Sequence, residues 1–276
     1  MLERTDRLAL AVPDAVPAIE TFETIFDCEV VDDRADAAAG ARRVTLQWGR
    51  DQLEILEPAG SGPVADFIRQ GHRGVFAGGF SLGDPAALAA RLERRGIRVH
   101  DQGGDRFVVF PGDLHGTGLI LSRRVEHPRV GLNDRIWQIT YAVEKLEDSV
   151  AQYGDLFGVG ETFTNRYTSD LYGYLGAITW FDARDGGLLD SLEYLEPIDP
   201  AKAVARFIGR NGRGIYMASI ETDDIPEIQR RVTSTGPGWD GTDFGGFIHP
   251  RRLHGLLVGL VTYEGWNARR PLPDSG

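Results

Sequence analysis

Two glutamates in matching sequence contexts are the residues best suited to acid–base chemistry in this 276-residue chain. Glu54 lies in the segment Leu-Glu-Ile-Leu-Glu-Pro, and Glu193 lies 139 positions later in Leu-Glu-Tyr-Leu-Glu-Pro. A carboxyl group that a strand directs into a mainly apolar cleft has its pKa raised by desolvation, which suits a general acid or base near neutral pH. The alternative for each glutamate is a structural ion pair with a nearby arginine.

The two glutamate segments belong to a longer internal repeat. Phe67-Ile68 and Arg73-Gly74-Val75 return as Phe207-Ile208 and Arg213-Gly214-Ile215, and Leu114-His115-Gly116 returns as Leu253-His254-Gly255. Matches in the same order at a constant offset of 139–140 positions indicate two copies of one domain, since this period is too long for a solenoid repeat. We expect a first domain at 1–124, a linker at 125–133 and a second domain at 134–266.

Strands and helices must position these glutamates, and their pattern is the same in both copies. A strand is followed by a helix and by further strands, and this order then recurs within the same copy. In the second copy, for example, apolar spacing predicts a helix over 146–157 that Gly158 ends. The predicted fold class is therefore α+β, with two tandem domains of two β-α-β-β-β modules each.

Composition narrows the classes of function. The net charge of −11 and the pI near 5.0 argue against a nucleic-acid partner, although they are compatible with a cationic ligand. The single cysteine, Cys28, allows no intramolecular disulfide, and no apolar stretch reaches the roughly 18 residues of a membrane span. We expect a cytoplasmic protein that binds a small molecule and does not bind nucleic acid or a membrane. A homodimer is compatible with the sequence.

The module order and three motifs resemble the vicinal oxygen chelate superfamily, which includes glyoxalase I, bleomycin-resistance proteins and extradiol dioxygenases. The motifs are Leu-Glu-x-Leu-Glu-Pro, Arg213-Gly214-Ile215 and Leu253-His254-Gly255, and they look most like methylmalonyl-CoA epimerases. This resemblance implies that two modules form an incomplete barrel around a cleft. It also implies a divalent metal ion held by His, Gln or Glu from the first and last strands of each module.

Carried over to this chain, the four ligand positions of each copy are poorly filled. They are Arg7, Glu54, Ala77 and Ile120 in the first copy, and Gln138, Glu193, Met217 and Gly259 in the second. The resemblance therefore implies no metal in the first copy, whose site is degenerate. In the second copy only Gln138 and Glu193 are permitted ligands, so we expect no cofactor, with a divalent metal there as the alternative.

The leading hypothesis is an enzyme of the isomerase, epimerase or lyase type that transfers a proton next to a carbonyl group. Glu193 is its predicted acid or base, Gln138 and Tyr216 polarise the carbonyl oxygen, and His254 assists. The predicted substrate-binding residues are Glu54, Arg7, Met217, His249 and Trp180.

Two other functions remain open from the sequence. A metal-free binding protein of the bleomycin-resistance type would sequester a cationic aromatic drug, which suits the acidic composition. A metal-dependent dioxygenase would need a bound metal ion, whose presence elemental analysis would reveal.

Overall fold

Each half of the chain builds one mixed eight-stranded sheet, as seen in a computed structural model that describes residues 2–159, 164–181, 190–242 and 245–267. The N-terminal half comprises β1 (Arg4–Ala11), α1 (Ala15–Phe26), β2 (Glu29–Asp36), β3 (Ala41–Trp48), β4 (Asp51–Pro58), α2 (Pro63–Arg69), β5 (Gly74–Leu82), α3 (Pro85–Arg94), β6 (His100–Asp101), β7 (Phe107–Val109) and β8 (Gly118–Arg123). The C-terminal half comprises β9 (Arg135–Ala142), α4 (Leu146–Phe157), β10 (Thr164–Ser169), β11 (Tyr174–Trp180), β12 (Ser191–Pro197), α5 (Ala203–Asn211), β13 (Gly214–Glu221), α6 (Ile225–Ser234), β14 (Trp239–Thr242), β15 (Gly245–Ile248), β16 (Leu257–Val261) and α7 (Tyr263–Asn267).

The strand order confirms the predicted α+β fold of two β-α-β-β-β modules in each half. It is β2-β3-β4-β1-β5-β8-β7-β6 in the first sheet and β10-β11-β12-β9-β13-β16-β15-β14 in the second. The first and last strands of every module pair in parallel, as β1 and β4 do, and the two modules join through antiparallel pairing of β1 with β5 and of β9 with β13. Each sheet therefore curls into an incomplete barrel.

Side-chain alternation divides every central strand between two environments. Leu8 and Leu10 of β1 are buried in one large apolar cluster together with Ile139 and Tyr141 of β9, so the two halves share a core. Ala9, on the other face of β1, belongs to a separate cluster. The second face of each sheet is the concave one, and it carries Arg7 and Glu54 in the first half and Gln138 and Glu193 in the second.

Helix α1 shows how the sequence fixes this packing. Asp14 caps its N-terminus by accepting the backbone N–H of Val16 at 3.0 Å. Phe22 and Phe26, four residues apart, lie on one helical face and pack edge-on against Trp48 of β3. The predicted helix over 146–157 also has the expected bounds, and Gly158 ends it with a φ of 72°.

The repeated motifs meet one another at the boundary between the halves. A Cβ atom on Gly74 would lie 2.4 Å from the carbonyl oxygen of Gly255, and one on Gly116 would lie 2.4 Å from that of Arg213. The Arg-Gly segment of each half therefore touches the His-Gly segment of the other, and only glycine permits this approach.

Two aspartates make a second reciprocal contact across the same boundary. Asp51 accepts the backbone N–H of Ile136 at 2.6 Å, and Asp190 accepts that of Thr5 at 2.7 Å. The guanidinium group of Arg4 lies 3.4 Å from Asp51 and 3.7 Å from Asp190. These bonds clamp the first strand of each half to the other half.

The edge strands are the elements that the sequence pattern did not reveal. Most β2 residues are exposed, and β10 is polar throughout, so neither shows the alternation of a half-buried strand. A third edge strand, β6, comprises only His100–Asp101. Across the described residues, no helix is long and apolar enough to span a membrane.

Candidate functional site

Glu193 lies on the concave face of the C-terminal sheet and is only 8% exposed. Thr140, its cross-strand neighbour on β9, donates its hydroxyl to Oε2 at 2.6 Å, and Tyr167 donates its phenolic O–H to Oε1 through a short hydrogen bond. Burial raises the pKa of Glu193, and the hydrogen bonds from Thr140 and Tyr167 offset this only in part. This carboxyl group is therefore poised to hold a proton closer to neutral pH than an ordinary glutamate.

Gly176 makes the contact between Tyr167 and Glu193 sterically feasible. Tyr167 pairs with Gly176 across β10 and β11, and its ring lies over that residue to reach β12. A Cβ atom on Gly176 would lie 2.3 Å from Cζ of the Tyr167 ring. Burial and the neighbouring Glu193 carboxylate raise the pKa of Tyr167, so this phenol remains a proton donor.

Gln138 lies on the same concave face, but its partners are serines rather than Glu193. Its Nε2 donates to Ser191 Oγ at 3.2 Å, and its Oε1 accepts a weak bond from Ser219 Oγ at 3.5 Å. Ser191 and Glu193 are two residues apart on β12 and face the same side of the sheet. The hydrogen bonds of Gln138 with the serines therefore lie next to the Glu193 carboxyl group along the strands.

Aromatic and apolar side chains surround this polar strip. Tyr216 packs edge-on against Phe207 at 5.3 Å in the cluster that also receives Tyr167, and burial raises its pKa. Trp180 is buried in an adjacent cluster with Trp137. The predicted residues Glu193, Gln138 and Trp180 thus share one face of the sheet, and Met217 reaches the same face beside Gly259.

The two predicted histidines lie elsewhere. His254 adopts a φ of 52°, and its Nε2 lies 2.9 Å from Oγ1 of Thr21 in α1, at the boundary between the halves. Burial lowers the pKa of His254. His249 is exposed in the loop after β15, where its Nδ1 accepts the backbone N–H of Arg251. The structure brings neither ring to Glu193.

Glu54 is the counterpart of Glu193 in the N-terminal half, and it is bound by cations. Arg7 donates to its Oε1 at 2.9 Å and Arg106 to its Oε2 at 2.8 Å. Burial alone would raise the pKa of Glu54, but the guanidinium groups of Arg106, Arg7 and Arg43 outweigh it and hold the pKa below its usual range. The ion pairs with arginine therefore favour the charged form of Glu54.

A cavity of about 720 Å³ opens beside this ion cluster. Its wall includes these three arginines, Arg34, Glu54 and Gln102, together with the linker residues His127, Pro128 and Val130. Arg43 donates to Asp36 at 3.2 Å and to Gln102 at 3.1 Å, and Arg106 donates to Gln102 at 2.7 Å.

Strand register shows why the two glutamates differ. Arg43 pairs with Leu56 across β3 and β4, and Gly176 pairs with Leu195 across β11 and β12, so Gly176 occupies the place of Arg43. The same comparison of β7 with β15 places a glycine, Gly245, where the first half has Arg106. With Gln138 in place of Arg7, none of the three cations of the first half is retained in the second.

One solved structure has a similar architecture over almost the whole chain. The chain aligns with a variant of 4-hydroxymandelate synthase from Streptomyces coelicolor over 95% of its own length and 93% of that chain, with a TM-score of 0.68 and 14% identity. The chain has the vicinal oxygen chelate fold. At this level of identity the similarity concerns the fold alone.

Other solved structures with this fold cover a single half of the chain. Methylmalonyl-CoA epimerase from Streptomyces coelicolor is 26% identical over 46% of this chain and 100% of that chain, with a TM-score of 0.39. The epimerase from Mycobacterium tuberculosis is 22% identical over 48% of this chain and 89% of that chain, with a TM-score of 0.39. No protein-family model matches the sequence, and no curated protein matches it.

The donor groups at the metal positions of the vicinal oxygen chelate fold do not fit a divalent ion. In the first half both oxygens of Glu54 are bound by guanidinium groups, and Arg7 would repel a cation. In the second half both oxygens of Glu193 accept hydrogen bonds from hydroxyl groups, and Met217 and Gly259 supply no hard ligand. Within the described ranges, no three His, Cys, Asp or Glu side chains form a group that could hold a metal ion.

Sequence reasoning located the two glutamates but missed most of their partners. Thr140 could have been found, because it lies two residues after Gln138 and so faces the same side of β9. Tyr167 comes from the edge strand β10, whose pairing is not visible in the sequence, Arg106 lies just before β7, and Arg43 lies on β3.

Proposed function

We propose that this protein is an acid–base enzyme in which Glu193 transfers a proton at a carbon next to a carbonyl group of a small organic or acyl substrate. The observation that carries this proposal is the contrast between the repeat copies. Glu193 is buried with a raised pKa and has no cationic partner within the described chain, whereas Glu54 is fully paired. A carboxyl group of this kind suits proton transfer near neutral pH.

The neighbouring side chains would orient the carboxyl group and polarise the substrate. In the ionised state, Thr140 and Tyr167 each donate a hydrogen bond to one oxygen of Glu193, which fixes the plane of the carboxylate. When Glu193 has taken a proton from the substrate, the Thr140 hydroxyl can rotate to accept a hydrogen bond from the protonated carboxyl group. Gln138 and Tyr216 are the proposed donors to the substrate carbonyl oxygen, on which negative charge develops.

Met217 and Trp180 are proposed to contact the apolar part of the substrate, since both lie on or beside the concave face. His254 has no role in the proposed reaction, because its ring forms a hydrogen bond with Thr21 at the boundary between the halves. His249 would contact only a substrate long enough to reach the exposed loop after β15.

Exchange of a carbon-bound proton with solvent tests the proposal without knowledge of the natural substrate. The protein would be incubated in D₂O with 2-oxobutyrate and with acetoacetyl-CoA, and deuterium incorporation at the carbon next to the carbonyl would be followed by mass spectrometry. We expect incorporation above the uncatalysed rate and a loss of about 100-fold or more in Glu193→Gln. Glu147→Gln, which removes an exposed carboxylate of the same half, is the control. Unchanged exchange in Glu193→Gln would refute the mechanism.

The two alternative functions, a drug-binding protein and a metal-dependent dioxygenase, require different groups at the binding site. A cationic drug would meet four arginines in the N-terminal cavity, Arg7, Arg34, Arg43 and Arg106, which disfavours its binding there. A metal-dependent dioxygenase would need donors that the four positions of either half do not supply. Elemental analysis of the purified protein for Fe, Mn, Co, Ni and Zn tests the dioxygenase directly.

The remaining expectations concern organisation and location. We propose the domain boundaries 1–124 and 134–266 with a linker at 125–133, supported by the end of β8 at Arg123 and the start of β9 at Arg135. A cytoplasmic location and a homodimer are proposals that fractionation and light scattering would test.

A further inference from the structure

We propose that the cavity of the N-terminal half is a binding site for a small organic anion, whose carboxylate or similar oxyanion is held by Arg7, Arg43 and Arg106. This site is independent of the acid–base chemistry at Glu193, because the two lie on different sheets.

Charge is the first observation that points to an anion. The three guanidinium groups face two ion-paired carboxylates, Glu54 and Asp36, so this cluster carries an excess of one positive charge. Asp6 lies near Arg7, but burial raises its pKa and so disfavours its charged form. Burial and the repulsion from Arg7 and Arg43 also lower the pKa of Arg106, despite the attraction of Glu54. An added anion would relieve this repulsion.

Unused hydrogen-bond donors are the second observation. Three buried nitrogen atoms donate no hydrogen bond to any of the described residues: Nε of Arg7, Nε of Arg43 and Nη1 of Arg106. Among the described residues, the side-chain hydrogen bonds of Arg7 and Arg43 use only Nη1, so Nη2 of each makes none there. A buried guanidinium donor without an acceptor is costly, and a bidentate oxyanion would satisfy two donors at once.

Arg43 is the strongest single indicator. Its side chain is 9% exposed, yet it lines the cavity, and its Nε has no acceptor among the described residues. Gln102 orders the cluster by accepting from both Arg43 and Arg106 while it donates to Asp36. The guanidinium groups are thus held in place before any ligand binds, which lowers the entropic cost of binding.

The cavity sets the class of ligand. Its volume of about 720 Å³ is in the range of pockets that bind small molecules rather than single inorganic ions. Val31, Pro128 and Val130 add apolar side chains to the cavity lining. The acidic residues Glu29 and Asp32 also line the cavity and would repel a second negative group placed near them. We therefore infer a ligand with one anionic end and an apolar body.

Benzoate and benzamide form a matched pair of probes, because they differ mainly in charge. Calorimetric titration of the full chain should give a Kd for benzoate at least about tenfold lower than that for benzamide. Arg43→Gln and Arg106→Gln should each weaken benzoate binding by about tenfold or more. Arg42→Gln should bind benzoate like the unaltered protein, since Arg42 lies on the other face of β3 and pairs with Asp33 and Glu57.

Glu54→Gln supplies a test in the opposite direction. Loss of this carboxylate frees Arg7 and Arg106, so benzoate should bind more tightly and should raise the unfolding temperature of this variant more than that of the unaltered protein. Glu193→Gln should leave benzoate binding unchanged, which separates this site from the proposed acid–base chemistry. Equal affinity for benzoate and benzamide, or no benzoate binding by either the unaltered protein or Glu54→Gln at about 20 mM ligand, would overturn the proposal.

Discussion

Glu54 and Glu193 occupy equivalent strand positions, but Glu54 accepts hydrogen bonds from two guanidinium groups and Glu193 from two hydroxyl groups. Burial acts on both carboxyl groups in the same direction, since each is almost fully enclosed. The outcome differs because cations lower the pKa of Glu54 below its usual range, whereas burial dominates at Glu193 and raises its pKa. One fold thus favours the charged form of the glutamate in one half and the protonated form of the glutamate in the other.

Removal of each glutamate should therefore affect stability differently. Glu54→Gln leaves Arg7 and Arg106 uncompensated, and we expect a loss of about 3 kcal/mol in the free energy of unfolding near pH 7. Glu193→Gln removes a buried charge and keeps a hydrogen-bonding group, so we expect a change within about 1 kcal/mol. Urea titrations followed by circular dichroism measure both values. Similar losses in the two variants would contradict the proposed difference in environment.

These stabilities should also respond to pH with opposite signs. The folded pKa of Glu54 is lowered, so its contribution is present above the usual pKa of about 4.3 and is lost as the pH falls through the folded value. The folded pKa of Glu193 is raised, so its contribution is present at low pH and is lost as the pH rises through that value. Repetition of the urea titrations across pH for both variants checks the two signs.

Tyr167→Phe should raise the pKa of Glu193 further. The phenol donates to the charged form of the carboxyl group, and loss of such a donor favours the neutral form. We expect an increase of about one pKa unit, read from the ¹³C carboxyl shift of Glu193 as the pH is varied. Tyr172→Phe is the control, because Tyr172 is 43% exposed and does not contact Glu193. An unchanged titration in Tyr167→Phe would mean that this hydrogen bond does not form in solution.

Gly176→Ala should separate Tyr167 from Glu193 without removal of either group. The added methyl group would overlap the Tyr167 ring, so the ring must move away from β11. The titration of Glu193 should then resemble that in Tyr167→Phe, and the free energy of unfolding should fall by about 1–3 kcal/mol. Ala177→Gly, at the next position of β11, changes the same strand on its other face and is the matched control. Retention of the original Glu193 titration in Gly176→Ala would show that Tyr167 reaches the carboxyl group by another path.

Asp190→Asn should abolish a pH-dependent loss of stability at the boundary between the halves. Burial raises the pKa of Asp190 to about 6, although Arg4 and the backbone N–H of Thr5 oppose this. Because the folded pKa is raised, the protein is penalised as the pH rises from about 4 through 6, by about 2–3 kcal/mol. Asparagine can still accept the Thr5 bond but does not ionise.

Unfolding of both proteins at about pH 4 and pH 8 measures the difference. Asp190→Asn should gain stability relative to the unaltered protein as the pH rises. Asp66→Asn, which changes an exposed carboxylate, should show no such gain. A constant difference between Asp190→Asn and the unaltered protein across this range would show that Asp190 ionises as readily in the fold as in the unfolded chain.

Local pattern was sufficient for much of the fold. The helix over 146–157 was predictable to the residue, because its apolar spacing and Gly158 are both local signals. The exposed edge strands β2 and β10 were not predictable, since what places them in the sheet is pairing with a distant strand rather than burial of alternate side chains. Tyr167 was missed for this reason, although it is the closest partner of Glu193.

The sequence by itself determined the duplication, the fold and the strand positions of Glu54 and Glu193, because repeats and apolar periodicity are carried by neighbouring residues. Only the tertiary structure decided what each glutamate does. Arg106 lies 52 positions from Glu54, and Tyr167 lies 26 positions from Glu193 across an intervening strand. Strand register fixes such contacts, and register follows from the packing of the whole sheet. The charge state of a buried carboxyl group depends on those contacts, so it becomes defined only when the sheet has closed.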